Sequence, residues 1–358
     1  MSSSAIGPWE GPVKDLRRAL KAGSDVSARV SDIVRHAELD ETVLALVPHP
    51  RRRWGRRPWS SVVRQPLMLG YGARFLHRVA VLGGDGSRHQ LIEKAVEADS
   101  NEARFWRGSR GRGLVASGAA FECVEPLAVR EVGSLTVLYF PYIAAVDRPR
   151  KASKGDLRRD PLRTVRAIAE FNARNREVGP SRVPRGFNRG ARKEPSVEQL
   201  STLLGASLPE AHDLQARWRE IGERWSALHE QYRALPSSLC HNDLTPGNVF
   251  QRDDKLVMLD FGWAAPGPIG SDLHTVIRWS PGALHDEDSA EHLIRVYADE
   301  FAALDHPVEL AQVRKGAWIT FAMRFLNLRK WASARHPVAF ELALRKATAA
   351  LDDLSSPS

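Results

Sequence analysis

The chain has 358 residues, enough for two domains or one large two-lobed domain at roughly 150 residues per domain. Hydrophobic residues make up 43% and charged residues 27%, which excludes collagen-like, coiled-coil-only and wholly disordered chains. Lys+Arg 52 against Asp+Glu 43 gives a net charge of +9, a field that favours anionic partners, while two cysteines, Cys123 and Cys240, exclude a disulfide framework and a four-cysteine zinc site. The N-terminus lacks a secretory pattern. The longest nearly apolar run, 133–146, is too short to span a bilayer and contains Pro141, so it reads as a buried strand entering a turn. A cytoplasmic protein with no membrane span is expected.

Residues 1–58 form an extension with two short helical patterns, 12–22 and 26–37. The run Arg51-Arg52-Arg53-Trp54-Gly55-Arg56-Arg57-Pro58 closes it; the run could contact anions, but reads more simply as a solvated linker. A first lobe is expected over 59–142. Its β-rich stretches are 62–69, 75–82 and 90–96, with a hairpin turn at Gly83-Gly84-Asp85-Gly86. A helix near 101–108 and strands around 120–132 and 135–139 follow, giving the order β-β-β-α-β-β. From 143 onward the chain reads as helical. Asp160 is an N-cap with Pro161 behind it, and Leu162, Val165, Ile168 and Phe171 line one face. A single helix is expected from Pro209 to Leu235, with Leu214, Trp218, Ile221, Trp225, Leu228, Tyr232 and Leu235 as a core stripe. Between these helices lies a basic Gly/Pro-rich loop, 179–193. Helices over 310–334 and 338–354 end the chain. The cluster His285-Asp286-Glu287-Asp288 with Glu291 and His292 reads as a solvated helix start, since acids favour the positive end of the dipole.

The informative stretch is Leu239-Cys240-His241-Asn242-Asp243-Leu244-Thr245-Pro246-Gly247-Asn248-Val249-Phe250, followed by Lys255-Leu256-Val257-Met258-Leu259-Asp260-Phe261-Gly262. Two short apolar segments flank Gln251 to Asp254, as in a tight hairpin. Such a hairpin sets Asn248 and Asp260 at its two ends, with Asp243 on the loop leading in. These oxygen-bearing side chains suit Mg²⁺, which takes one or two carboxylates and completes its shell with water and substrate phosphates. A second carboxylate beside the cation can take a proton from an attacking hydroxyl, as phosphoryl transfer requires.

His241-x-Asp243-x-x-x-x-Asn248 with Asp260-Phe261-Gly262 resembles the catalytic and metal loops of the protein-kinase-like fold. The form His-Asn-Asp-Leu-Thr-Pro-Gly-Asn-Val, with Gly267-Pro268-Ile269-Gly270-Ser271-Asp272-Leu273 after it, is similar to the aminoglycoside phosphotransferase and choline kinase family of small-molecule kinases. The likeness is sharp over 239–273. It implies an α+β, two-lobed fold with a five-stranded antiparallel first lobe and a mostly helical lobe, 143–358, carrying the site. It implies Asp243 as catalytic base, Asn248 and Asp260 as Mg²⁺ ligands, and His241 and Asp272 as supports of the loop. The nucleotide phosphates would be held by Lys94 on the third strand, paired with Glu102, with Glu97 as rival partner. Gly70 and Gly72 would face the phosphates. Phe140, Tyr142 and Ile143 would line the adenine pocket, with Tyr142 or Ile143 donating because Pro141 has no N–H. No Walker-type motif is present.

ATP-dependent transfer to a small-molecule hydroxyl is therefore expected, with no nucleic-acid partner. Aminoglycosides and choline are cations, yet loops 148–159 and 182–193 are rich in Arg and Lys. That favours a neutral or anionic acceptor, a sugar or other polyol, over an aminoglycoside, choline or ethanolamine. Trp263 could stack on an acceptor or simply pack. A protein kinase is disfavoured by Asn242, where such kinases carry Arg, and by the lack of an Ala-Pro-Glu-like anchor. A non-catalytic nucleotide- or anion-binding scaffold is disfavoured by the presence of all three core polar residues.

Overall fold

The computed structural model describes residues 43, 59–67, 73–83, 87–143, 160–176, 181, 194, 196–204, 206–280, 282–283, 286–325, 345 and 348. The N-terminal helical patterns, the Arg51–Pro58 run, Gly70 and Gly72, most of the Gly83–Gly86 turn, both basic loops and most of the last expected helix lie outside them. Two compact units divide the chain: 1–108 with 125–143, and 109–124 with 144–358.

The first unit is built on a five-stranded antiparallel sheet of β1 (Trp59–Pro66), β2 (Ala73–Gly83), β3 (Arg88–Glu97), β5 (Ala128–Val132) and β6 (Leu135–Pro141), in the order β1-β2-β3-β6-β5. A two-residue turn joins β5 to β6, with Val132 opposite Leu135 and Gly133 at φ 60, the left-handed conformation such turns demand. Period-2 alternation places Val79, Val81, Leu91, Ala95, Leu135, Val137 and Tyr139 on one face, where they form a core with Val43. Helix α1 (Asn101–Arg107) starts at Ser100, whose side chain accepts from the Ala103 N–H.

Charge is buried in that apolar face. His77 faces Glu93 and Glu93 faces Tyr139 across the ladder. The Glu93 carboxylate is fully buried and receives Arg64 Nε at 2.8 Å and Nη2 at 3.1 Å, with His77 Nδ1 also at 3.1 Å. Burial pushes the Glu93 pKa up, but the hydrogen bonds and charges of His77 and Arg64 outweigh it and leave the carboxyl below its usual value of 4.5.

The second unit begins with a difference from the sequence reading. The stretch 120–132 is two strands in two sheets: β4 (Phe121–Cys123) pairs in parallel with β9 (Lys255–Met258), while β5 stays in the first unit's sheet. The reason is Pro126, which cannot donate to a ladder and separates the two. Hairpin β8 (Val249–Arg252) and β9 completes the three-stranded sheet, and β7 (Ser237–Cys240) pairs with β10 (Ala265–Pro268).

Among the described residues the α-helices of this unit are α2 (Ser109–Arg112), α3 (Pro161–Arg174), α4 (Val197–Leu204), α5 (Leu208–Glu223), α6 (Trp225–Ala234), α7 (Leu273–Trp279), α8 (Glu287–Ala303) and α9 (Leu310–Phe325). Asp160 caps α3 by accepting from Arg163 N at 2.9 Å. The expected helix 209–235 is broken at Arg224, φ −93 and ψ 12, just after Gly222, whose low helix propensity weakens the last turn of α5. Asp286 accepts from the N–H groups of Asp288 and Ser289, so the acidic cluster opens α8. An aromatic column of Phe121, Phe171 and Phe261, with centroids 5.5 and 6.1 Å apart, ties β4, α3 and the turn after β9 together. No described helix is long and apolar enough to cross a membrane.

Replacing Glu93 with Ala leaves the mostly buried Arg64 guanidinium without this carboxylate, and should destabilise the protein by about 2–4 kcal/mol in denaturant titration. Because the folded-state pKa is depressed, the wild-type carboxylate's stabilisation is present above the ordinary value of 4.5 and declines as pH falls through the lower folded value. Wild type should therefore lose stability on acidification below that point, and a Glu93→Gln variant should lose less.

Candidate active site

Strand β7 is buried throughout and delivers the chain into His241-Asn242-Asp243. Asn242 takes φ 62, a left-handed conformation that Asn tolerates, and this reverses the loop. Both N–H groups at the bend point at one carboxylate: His241 N donates to Asp272 Oδ2 at 2.8 Å and Asn242 N to Oδ1 at 2.7 Å. Asp272 is fully buried and reaches the loop through the turn at Gly270, φ 91. Asn172 Nδ2 donates both to Asp272 Oδ2 at 3.2 Å and to Leu239 O at 2.8 Å. Tyr297 Oη donates to Asn172 Oδ1 at 2.9 Å and accepts from Gly270 N at 3.2 Å.

The same pocket of negative charge sets two protonation states. Burial and the Asp272 charge push the Cys240 thiol well up, so it stays neutral and is no nucleophile. Burial and the charge of Asp272 likewise raise Tyr297, which keeps the proton it donates to Asn172.

His241 is fully buried against Phe261, with ring centroids 4.6 Å apart. Its Nε2 donates to Leu259 O at 2.8 Å, and its Nδ1 accepts from Asp243 N at 3.3 Å. Those two partners assign the neutral Nε2–H tautomer. The ring thus links the loop to the end of β9, and the Asn242 side chain adds a second link, Nδ2 to Trp263 O at 3.2 Å.

Asp243 and Asn248 are half-buried and in contact. Asn248 Nδ2 donates to Asp243 Oδ2 and to Asp243 O, both at 2.9 Å. Spending the amide nitrogen on Asp243 leaves Oδ1 as the Asn248 atom for a cation. Leu259 N donates to Asn248 O at 2.8 Å, which closes the hairpin and sets Asp260 beside the Asn248 rung. Asp260 is exposed and left-handed at φ 62, and its carboxylate accepts from Gly262 N at 3.3 Å. The donors are hard oxygens from one amide and one or two carboxylates. Among the described residues no group of three His, Cys, Asp or Glu converges. A set this sparse fits Mg²⁺ completed by phosphates and water, and does not fit a closed protein cage.

In the first unit, Lys94 Nζ lies 2.8 Å from Glu102 Oε1 and 2.7 Å from Oε2, both side chains mostly buried. Glu97, the rival, pairs with Arg74 instead. Phe140 meets Trp106 edge to face at 6.2 Å, and the Arg78 guanidinium lies 4.5 Å over the Tyr142 ring. Ile143 ends the described part of this segment. Sequence reasoning missed Asn172 and Tyr297. The available signal for Asn172 was a lone amide four residues past Ile168 on an otherwise apolar helical face.

Residues 109–306, more than half of the chain, match the phosphotransferase enzyme family model. The chain belongs to this family, and it is an ATP-dependent phosphotransferase that acts on the hydroxyl group of a small molecule. No curated protein matches it by sequence. Among solved structures, it is similar to a protein assigned as a fructosamine-3-kinase from Thermobifida fusca at 14% identity and TM-score 0.41, covering 81% of this chain and 94% of that one. A choline kinase from Cryptosporidium parvum is similar at 13% identity and TM-score 0.48, with 82% and 90% covered. An aminoglycoside phosphotransferase in complex with AMP-PNP and hygromycin B is similar at 12% identity and TM-score 0.41, with 81% and 93% covered.

Removing the Asp272 carboxylate strands two buried N–H donors. Asp272→Ala should cost about 3 kcal/mol in thermal or denaturant unfolding. It should also lower turnover by loosening the loop that carries Asp243. Asp272→Asn should rescue only part, because its amide nitrogen would meet one of those donors.

Proposed function

We propose that this enzyme transfers the γ-phosphoryl group of ATP to a hydroxyl of a small neutral or anionic acceptor, a sugar or other polyol. The observation that carries the reading is the Asn248 side chain: its nitrogen holds the Asp243 carboxylate while its oxygen remains for a cation, so base and metal donor share one amide. Asp243 accepts the proton of the acceptor hydroxyl as the oxygen attacks phosphorus, and ADP leaves. Mg²⁺, held by Asn248 and Asp260, would neutralise charge on the phosphates. Lys94, oriented by Glu102, binds the phosphates, and Phe140, Tyr142 and Ile143 take the adenine. Gly70 and Gly72, which lie outside the described residues, are assigned to the phosphates by the family resemblance alone. His241 and Asp272 hold the base in place without chemistry of their own.

The acceptor class rests on charge. Arg182, Arg185, Arg189, Arg192 and Lys193 lie within one short stretch of sequence and would repel a polycation at low salt. A reducing cytoplasm is supported by Cys123 and Cys240, both buried free thiols.

The test is turnover of Mg-ATP by purified protein against a panel of sugars, sugar phosphates, aminoglycosides and choline. A sugar or polyol should be phosphorylated best; preference for choline or an aminoglycoside would overturn the acceptor class, and absence of any ATP turnover would favour a scaffold. On the acceptor found, Asp243→Ala should lower kcat by on the order of 10²-fold or more with AMP-PNP affinity retained. Lys94→Ala should weaken nucleotide binding or turnover by roughly tenfold, the value of one charge-assisted hydrogen bond. Wild-type rates in Asp243→Ala would remove its role as base.

A further inference from the structure

The second unit carries a cavity of about 950 Å³ on α5 and α6, within the size range of small-molecule sites and lined by none of the residues assigned to phosphoryl transfer. Trp218, Gly222, Trp225 and His229 follow one another along this pair of helices and all line it. Gly222 is exposed, and an added Cβ there would meet nothing within 4 Å, so the cavity is open at this position beside Trp225. Helix propensity alone would select against glycine here. Trp225 and His229 form one wall, with ring centroids 5.4 Å apart. His229 Nε2 is buried and has no hydrogen-bond partner among the described residues. Burial, with the charge of Arg233 second, lowers the His229 pKa and favours its neutral form.

The rim mixes signs. Glu223 and Glu230 stand with Arg233 and with Arg219, which is bonded to Glu194 at 2.7 Å. An organic cation in this cavity would lie beside two guanidinium groups, and a phosphate ester beside three carboxylates. A neutral ring with hydroxyls around its edge meets neither penalty: its C–H face covers an indole, and its hydroxyls both donate to carboxylates and accept from guanidinium groups. We propose that this cavity is a saccharide-binding site, separate from the phosphoryl-transfer residues, in which a neutral sugar ring stacks on Trp225 beside Gly222 and bonds to Glu223, Glu230 and Arg233.

The site can be read at Trp225 itself. In full-length protein labelled with ¹⁵N, the Trp225 indole N–H resonance is the one missing from Trp225→Phe. Titration with maltose or methyl β-glucoside should shift it in wild type and in Asp243→Ala alike. Gly222→Leu fills the gap at a position with open space and better helix propensity, and should raise the saccharide dissociation constant roughly tenfold or more while AMP-PNP affinity stays unchanged. An unmoved Trp225 resonance, a shift that survives Gly222→Leu, or a shift produced by choline or glucose 6-phosphate in place of the neutral sugars would each overturn the proposal. Failure of the acceptor screen would leave these shifts intact, so the two readings fail separately.

Discussion

The loop that carries Asp243 hangs from the Asp272 carboxylate. Two successive backbone N–H groups, His241 and Asn242, point at it from 2.8 and 2.7 Å, and both would be stranded in a fully buried site without it. A buried carboxylate is itself costly unless its lone pairs are used. Here three donors use them, the third being Asn172. The left-handed bend at Asn242 is tolerated because its N–H has this fixed acceptor. The rigid bend is what gives Asp243 a defined position.

A second layer transmits that rigidity to the hairpin. His241 spans from Asp243 N to Leu259 O, so one neutral ring joins the loop before the hairpin to the residue after it. Phe261 packs against that ring, and through Phe171 the contact runs on to α3. Asp260 can therefore be exposed and still well placed, since its neighbours on either side are anchored: Leu259 by Asn248 and His241, Phe261 by the aromatic column. Preorganisation of this kind matters most for phosphoryl transfer, where the protein contributes position and charge more than covalent chemistry.

The spacing of Asp243, Asn248 and Asp260 was legible because each relation is local: five residues of loop, then a four-residue strand, a tight turn and its partner strand. The Lys94 and Glu102 pair was legible for the same reason, eight positions apart on a strand and the next helix. Asn172 and Tyr297 were not, because their partners lie 100 and 125 positions away and only the packing of α7 and α8 on α3 brings them together. The split of 120–132 was signalled by Pro126, and the break at Arg224 by Gly222. Both punctuators were present in the sequence, but an unbroken apolar pattern on either side outweighed them.

The break after Gly222 has a consequence beyond helix count. A continuous helix with alanine or leucine at 222 would satisfy the heptad-like stripe that runs from Leu214 to Leu235, and Leu214, Trp218, Ile221, Leu228 and Tyr232 do face the core. Trp225 and His229 depart from that stripe. They are only partly buried and line the open cavity, whereas Tyr232, on the same helix, is fully buried. Helix α6 therefore has two working faces. One supports β10, the strand paired with β7 that leads into the Asp243 loop, and the other carries aromatic and charged groups that the core does not use. Holding the loop alone gives no reason for Trp225 and His229 to stand together on that outer face, with ring centroids 5.4 Å apart.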